Sequence, residues 1–249
     1  MVTLLLVISH LIGDFVLQSS KMSVEKRQHF LKLLKHCGIY AFVITTMLFI
    51  STDIRSAIGA AVIIGISHLV IDYVRILVDR KAAAHIQIFC YFFDQILHLG
   101  IIFVVSCYFN LDTHLGGFLQ SVLYAFGKAS INNGIVYMLV YLVILQPAAI
   151  TVKKMLSYIS NQEYNNNDDE DAVTNYNAGY TIGILERIIV ATLVLQDQLP
   201  TIGLVLTAKS LARFNQLNDR EFAEKYLVGT LMSIAISIVA TLILKGLLL

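Results

Sequence analysis

Apolar runs long enough to cross a lipid bilayer recur from one end of this chain to the other, and no other feature limits its fold so strongly. A membrane-spanning helix takes about 20 predominantly apolar residues. Such runs place spans near Val2–Gln18, Leu33–Ile50, Ser56–Val78, Ile86–Phe109, Asn132–Val152, Gly179–Leu195, Pro200–Ala212 and Tyr226–Leu248. The seventh is short, and the sixth and seventh together also fit a re-entrant hairpin. The residues between His114 and Lys128 read as an interfacial segment. The expected fold is all-α, a polytopic transmembrane helix bundle of about eight spans.

Composition agrees. Of 249 residues, 57% are apolar (tyrosine and cysteine included) and 14% are charged, with a mean hydropathy of +0.73. A soluble domain carries about a quarter charged residues. A net charge of +1 supplies no basic field for nucleic acid. Cys37, Cys90 and Cys107 all lie inside apolar runs, form no C-x-x-C pair and fix no redox compartment. Trp is absent, so any interfacial aromatic belt falls to Tyr. The segment from Met1 to Leu17 lacks a cationic start and a small-residue cleavage site, and it contains His10 and Asp14, so it is expected to be a span rather than a cleaved leader.

Orientation follows from the cationic loops, which stay cytoplasmic. All but four of the 18 Lys and Arg fall at alternate connections: Lys21, Lys26, Arg27, Lys32 and Lys35; Arg75, Arg80 and Lys81; Lys153 and Lys154; Lys209, Arg213, Arg220 and Lys225. Eight spans with both termini outside satisfy this alternation. One stretch breaks the apolar pattern. Asn161–Asn177 (NQEYNNNDDEDAVTNYN) is polar and acidic and reads as a linker. The expected organisation is a five-span unit over residues 1–155, a linker over 156–178 and a three-span unit over 179–249.

Ionisable groups inside a span cost roughly 2.5–3.5 kcal/mol each and are functional candidates by default. The first span carries His10-x-x-x-Asp14, the third His68-x-x-x-Asp72 and the fourth Asp94-x-x-x-His98. A separation of four puts both side chains on one helix face. Spans one and three run inward and span four outward, and the letter order reverses with direction. The pattern therefore predicts one layer of His10, His68 and His98 and a second of Asp14, Asp72 and Asp94 nearer the cytoplasm. His36, at the start of span two, falls at about the Asp level. Imidazole nitrogens with carboxylate oxygens are ligands for zinc, and also for iron or manganese. His10, His36, His68, His98, Asp14, Asp72 and Asp94 are the candidate ligands for one divalent metal or two. A carboxylate among Asp14, Asp72 and Asp94 that is not a ligand would be a catalytic general base. The other readings of these residues are a proton or ion relay and interhelical hydrogen bonding. His29, His85 and His114 read as solvated loop residues.

A second charged group lies in the C-terminal unit. Glu186 and Arg187 sit inside an apolar stretch, and Lys209 and Arg213 share a face at i, i+4. Lys209, Ser210 and Arg213 with Arg187 and Glu186 form a candidate substrate-binding group for a phosphate on a lipid or other substrate. The alternative is a salt-bridge network joining Glu186 and Glu224 to Arg187, Lys209 and Arg213.

The run His10-Leu11-Ile12-Gly13-Asp14-Phe15-Val16-Leu17-Gln18, then His36, Ser67-His68-Leu69-Val70-Ile71-Asp72 and Asp94-Gln95-Ile96-Leu97-His98, resembles a bacterial membrane family catalogued as domain of unknown function 3307. The resemblance covers roughly the first 110 residues, and the Gly179–Ser233 motifs look like the extension of its longer members. It implies a multi-pass protein of the bacterial inner membrane. A more distant similarity is to membrane-bound metal-dependent hydrolases, from which this chain departs in motif order and in lacking their paired-His signature.

Together these features point to a metal-dependent membrane hydrolase acting on a lipid-linked or phosphorylated substrate, with the lipid bilayer as its surroundings. A proton- or metal-ion-coupled transporter or channel is the alternative. Against it stand the lack of an inverted repeat and of a Pro- or Gly-broken helix pair. A non-catalytic membrane scaffold is the third reading.

Overall fold

The computed structural model describes residues 1–80, 84–159 and 178–248. Among them are ten α-helices, one π turn and one 3-10 turn, with no strand beyond a single antiparallel bridge between Thr52 and Leu115. The helices are α1 (Val2–Leu11), α2 (Ser20–Gln28), α3 (Phe30–Ser51), α4 (Ile54–Asp79), α5 (Ala84–Tyr108), α6 (Gly117–Phe126), α7 (Lys128–Ile159), α8 (Ala178–Leu195), α9 (Thr201–Ala212) and α10 (Arg220–Leu248). Five are long and apolar enough to cross a membrane: α3, α4, the Ile86–Tyr108 part of α5, α7 and the Phe222–Leu248 part of α10. A sixth candidate is the bent pair made by Val2–Val16 and Ser20–Gln28. Among the described residues the chain forms two compact units, residues 1–135 and residues 136–159 with 178–248, so the division falls within α7. The acidic segment Asn161–Asn177, read as a linker, lies outside the described residues.

The first unit is built on α1, α3, α4 and α5, with α3 against α4, α4 against α5 and α1 against both α3 and α5. Each presents one buried stripe at helical spacing. On α3 it runs Leu33, His36, Tyr40, Ile44, Leu48; on α4 Ala57, Ala60, Ile64, His68, Asp72, Ile76; on α5 Ile88, Tyr91, Asp94, His98, Ile102, Val105. Steps of three and four keep these positions on one face. Val2 and Leu6 of α1 share an apolar core with Ile44, Leu48, Ala57, Ala60, Ile64, Ile102 and Val105. The core thus joins the starts of α1 and α4 to the ends of α3 and α5. Neighbouring helices run in opposite directions, and the polar half of every stripe lies at the other end. The outward faces carry exposed Phe42, Phe89, Phe93 and Phe103, as surfaces facing lipid do.

The first span departs from the straight helix expected over Val2–Gln18. After α1 the chain winds into a π turn at Ile12–Val16, with Leu17 N–H donating to Ile12 O at 2.8 Å. It then bends by 82° into α2. Such turns occur mostly inside α-helices and often at functional sites. Gly13 lets this turn lie close against α3, since a Cβ there would stand 2.9 Å from Tyr40 Cδ2. Ser19 restarts the helix by accepting the Met22 N–H at 3.2 Å. The straight span expected over Val2–Gln18 is thereby corrected: the chain breaks between Val16 and Ser20, after the π turn, where apolar periodicity gives no sign of it.

Connections in this unit are capped. Asp53 accepts the N–H groups of Arg55 at 3.0 Å and Ser56 at 3.1 Å to start α4. Hydrogen bonds from Ser56 and Arg55 hold the Asp53 carboxyl below its ordinary range. Gly127, at φ +80, ends α6 in a conformation that favours glycine. In the second unit α8 packs against α10 and α9.

Candidate functional site

The polar halves of the four stripes meet. His10, Asp14, His36, His68, Asp72, Asp94 and His98 are all buried, each at most 7% exposed. Asp14 lies in the π turn, His36 near the start of α3, His68 and Asp72 one turn apart on α4, and Asp94 and His98 one turn apart on α5.

Four of these converge on one point. His36 Nε2 lies 3.1 Å from Asp14 Oδ1, 3.3 Å from His68 Nε2 and 3.4 Å from Asp72 Oδ2. His68 Nε2 is 3.8 Å from the same Asp72 oxygen. Ligand atoms bonded at about 2.0–2.2 Å to a tetrahedral ion stand about 3.3–3.6 Å from one another, so the group has nearly the dimensions of such a shell. Asp72, Asp94 and His98 form a second group, and in each group one ligand atom per residue lies within 4.8 Å of the others. Asp72 belongs to both.

The remaining polar residues hold these seven in place. His10 belongs to neither group. Its Nδ1 is 3.3 Å from the Tyr40 hydroxyl, and its Nε2 is 3.2 Å from Gln95 Oε1. Gln95 Nε2 in turn donates to Asp14 Oδ2 at 3.3 Å and Asp94 Oδ2 at 3.0 Å. The Tyr40 ring stacks on His68 with centroids 3.6 Å apart and planes within 4°. Two cations balance the carboxylates. Lys26 donates to Asp72 Oδ2 at 2.7 Å, and Arg75 to Asp94 Oδ2 at 2.6 Å. Turning α2 back against α3 is what brings Lys26 to α4. Buried carboxylates without such partners would cost several kcal/mol each, of order 3–5.

The sequence pattern alone does not mark Lys26, Tyr40 and Arg75 as site residues. Tyr40 carried a signal, since it follows His36 by four residues on the same face, and Arg75 follows Asp72 by three. Lys26 carried none, because its position depends on the bend.

The candidate substrate-binding residues of the second unit each have contacts within it. Lys209 pairs with Glu186 at 2.6 Å. Arg187 is buried and donates to two backbone carbonyls of α7, Ile144 O at 2.6 Å and Leu145 O at 3.2 Å. Those carbonyls lie just before Pro147, which has no N–H and disturbs the helical ladder around it. Arg213 sits over the rings of Phe222 and Tyr226, and the Ser210 hydroxyl donates to Leu206 O at 3.0 Å. Glu224 pairs with Arg220 at the exposed start of α10. Arg213 also lines a cavity of about 730 Å³ with Ile182, Ala212, Gln216, Asp219 and Phe222.

The fold and the buried residues define a class: an all-helical membrane protein whose buried His and Asp side chains can hold a metal ion. A family model described as "Protein of unknown function (DUF3307)" matches residues 2–126, half of the chain, and the protein belongs to that family. The matched stretch takes in every His and Asp of the two ligand groups. No curated protein and no solved structure matches the chain.

Proposed function

We propose that this protein is a metal-dependent membrane hydrolase that acts on a lipid-linked or phosphorylated substrate at the cytoplasmic leaflet. Asp14, His36, His68 and Asp72 hold a divalent metal, zinc by donor chemistry, with iron or manganese as alternatives. The observation that carries the reading is the convergence of two imidazole nitrogens and two carboxylate oxygens from the π turn, α3 and α4 on one buried point. Depth supports the cytoplasmic assignment: Lys26, Arg27, Arg75 and Arg80 surround the polar end of the bundle, and cationic ends face the cytoplasm. The family resemblance supports a bacterial inner membrane as its place. The metal's chemistry is to polarise the substrate and lower the pKa of a bound water. Asp94, outside the four-residue group, is the carboxylate placed to act as general base. Ligands and base come wholly from the first unit.

One observation favours a second reading, a proton or ion relay. His10, Gln95, Asp14, His36 and His68 form a continuous chain of polar contacts of 3.2, 3.3, 3.1 and 3.3 Å, beside a broken span of the kind that lines transport paths.

Metal analysis separates the readings. Detergent-purified wild-type protein and His68→Ala are compared by elemental mass spectrometry, without chelators. The hydrolase reading expects at least one metal per chain in wild type and a loss in the variant. Metal-free wild type, with proton flux in proteoliposomes abolished by His68→Ala, replaces it with the relay.

A further inference from the structure

The second ligand group has features that a single metal leaves unused. His98 Nδ1 lies 2.8 Å from the backbone carbonyl of Asp94 and, having only an acceptor there, carries the proton. His98 Nε2 is therefore an unprotonated lone pair. It is buried and has no hydrogen-bond partner. Asp94 is in the same condition. Arg75 and Gln95 both donate to Oδ2, whereas Oδ1 is buried without a hydrogen bond. Two acceptor atoms, on side chains each about 3% exposed, thus lie buried with no donor. Buried acceptors of this kind cost roughly 1–3 kcal/mol each unless something binds them.

We infer that Asp72, Asp94 and His98 hold a second divalent metal, that Asp72 bridges the two ions, and that Asp94 is then a ligand in place of the general-base role it has beside a single metal. The inference rests on the proposed metal site and deepens it. Asp72 is the only residue common to both groups, and a carboxylate has two oxygens to share. Ions joined in this way stand about 3.5–4 Å apart, the spacing of two-metal hydrolytic sites. The two shells differ in character. The first has four protein ligands. The second has three, which leaves a coordination position for water or a substrate oxygen, as catalytic sites do. The second metal is therefore the one that meets substrate, and the first is the one that holds the helices together. On this assignment the substrate presents an anionic oxygen able to bind a metal pair, as a phosphoryl group does.

The test counts metals and reads their coupling. Purified full-length protein is stripped, loaded with Mn²⁺ and examined by elemental mass spectrometry and electron paramagnetic resonance, beside His98→Gln and the near-isosteric Asp94→Asn. Two ions per chain and an exchange-coupled spectrum are expected for wild type. Each variant is expected to keep one ion, giving the spectrum of isolated Mn²⁺. One ion per wild-type chain, unchanged in both variants, overturns the second site and leaves the first intact. No bound ion in any of the three proteins overturns both.

Discussion

Lys26 places its ammonium 2.7 Å from Asp72 Oδ2, the oxygen that also lies 3.4 Å from His36 Nε2. One carboxylate oxygen thus faces a fixed cation and two imidazoles. The ammonium balances Asp72 and competes with any metal that draws on the same oxygen. Removing it with Lys26→Met is expected to tighten metal binding about tenfold, or ~1.4 kcal/mol. It is also expected to destabilise the stripped protein by about 3 kcal/mol, since a buried carboxylate loses its partner. Calorimetric metal titration and thermal melts of the stripped protein measure the two effects, whose opposite signs are the signature.

Gly13 fixes how closely the π turn approaches α3. In Gly13→Ala the new methyl would stand 2.9 Å from Tyr40 Cδ2. Overpacking of this kind costs about 1–3 kcal/mol. The ring it pushes is the one stacked on His68. A lower melting temperature together with weaker metal retention is expected. A variant that melts lower but keeps full metal affinity would show that the stacking does not position His68.

Arg187 and Pro147 should be energetically coupled. Arg187→Met removes donors from the Ile144 and Leu145 carbonyls next to the proline. In a Pro147→Ala background the residue regains the N–H that Val143 O lacks and the ring no longer crowds the preceding turn, so the Ile144 and Leu145 carbonyls settle onto the N–H groups of Ala148 and Ala149 and depend less on Arg187. The cost of Arg187→Met is expected to fall there by about 0.5–3 kcal/mol. A double-mutant cycle on thermal or denaturant unfolding reads this, and simple additivity would refute it.

Asp53 caps α4 from outside the bundle core, and its carboxyl is held below the ordinary range by Ser56 and Arg55. A group whose pKa is lowered by folding stabilises above its unfolded pKa, near 3.8, and loses that contribution as pH falls through the lowered value. Asp53→Ala is therefore expected to melt below wild type at pH 7, with the gap closing under strong acid. Paired melts at the two pH values check it.

Much of the first unit was readable because one rule served twice. The i, i+4 spacing that puts His68 beside Asp72 also puts both in register with Ile64 and Ile76, so the ionisable residues had to face inward with the core. The reversed order of Asp94 and His98 carried helix direction in the same way. What escaped the sequence depended on geometry between elements. The π turn leaves no periodic trace, because its extra residue sits inside a short apolar run. Lys26 reads as one of several loop cations until α2 turns back onto α3. Arg187 reads as a phosphate-binding or ion-pair residue, yet two of its bonds go to the Ile144 and Leu145 carbonyls, which no side-chain pattern announces.

The break after Val16 also determines the hydrophobic length of the first helix. The 10 residues of α1 and the 5 of the π turn rise about 22 Å, against a hydrocarbon layer of about 30 Å. A helix that short meets its bilayer only if the lipid beside it thins or its flanking side chains reach outward. Asp14 sits at the end of that short helix. Where the lipid thins beside it, the bilayer edge comes nearer the His and Asp cluster, and the path of a water-soluble ion or a lipid head group to those residues shortens by the same amount.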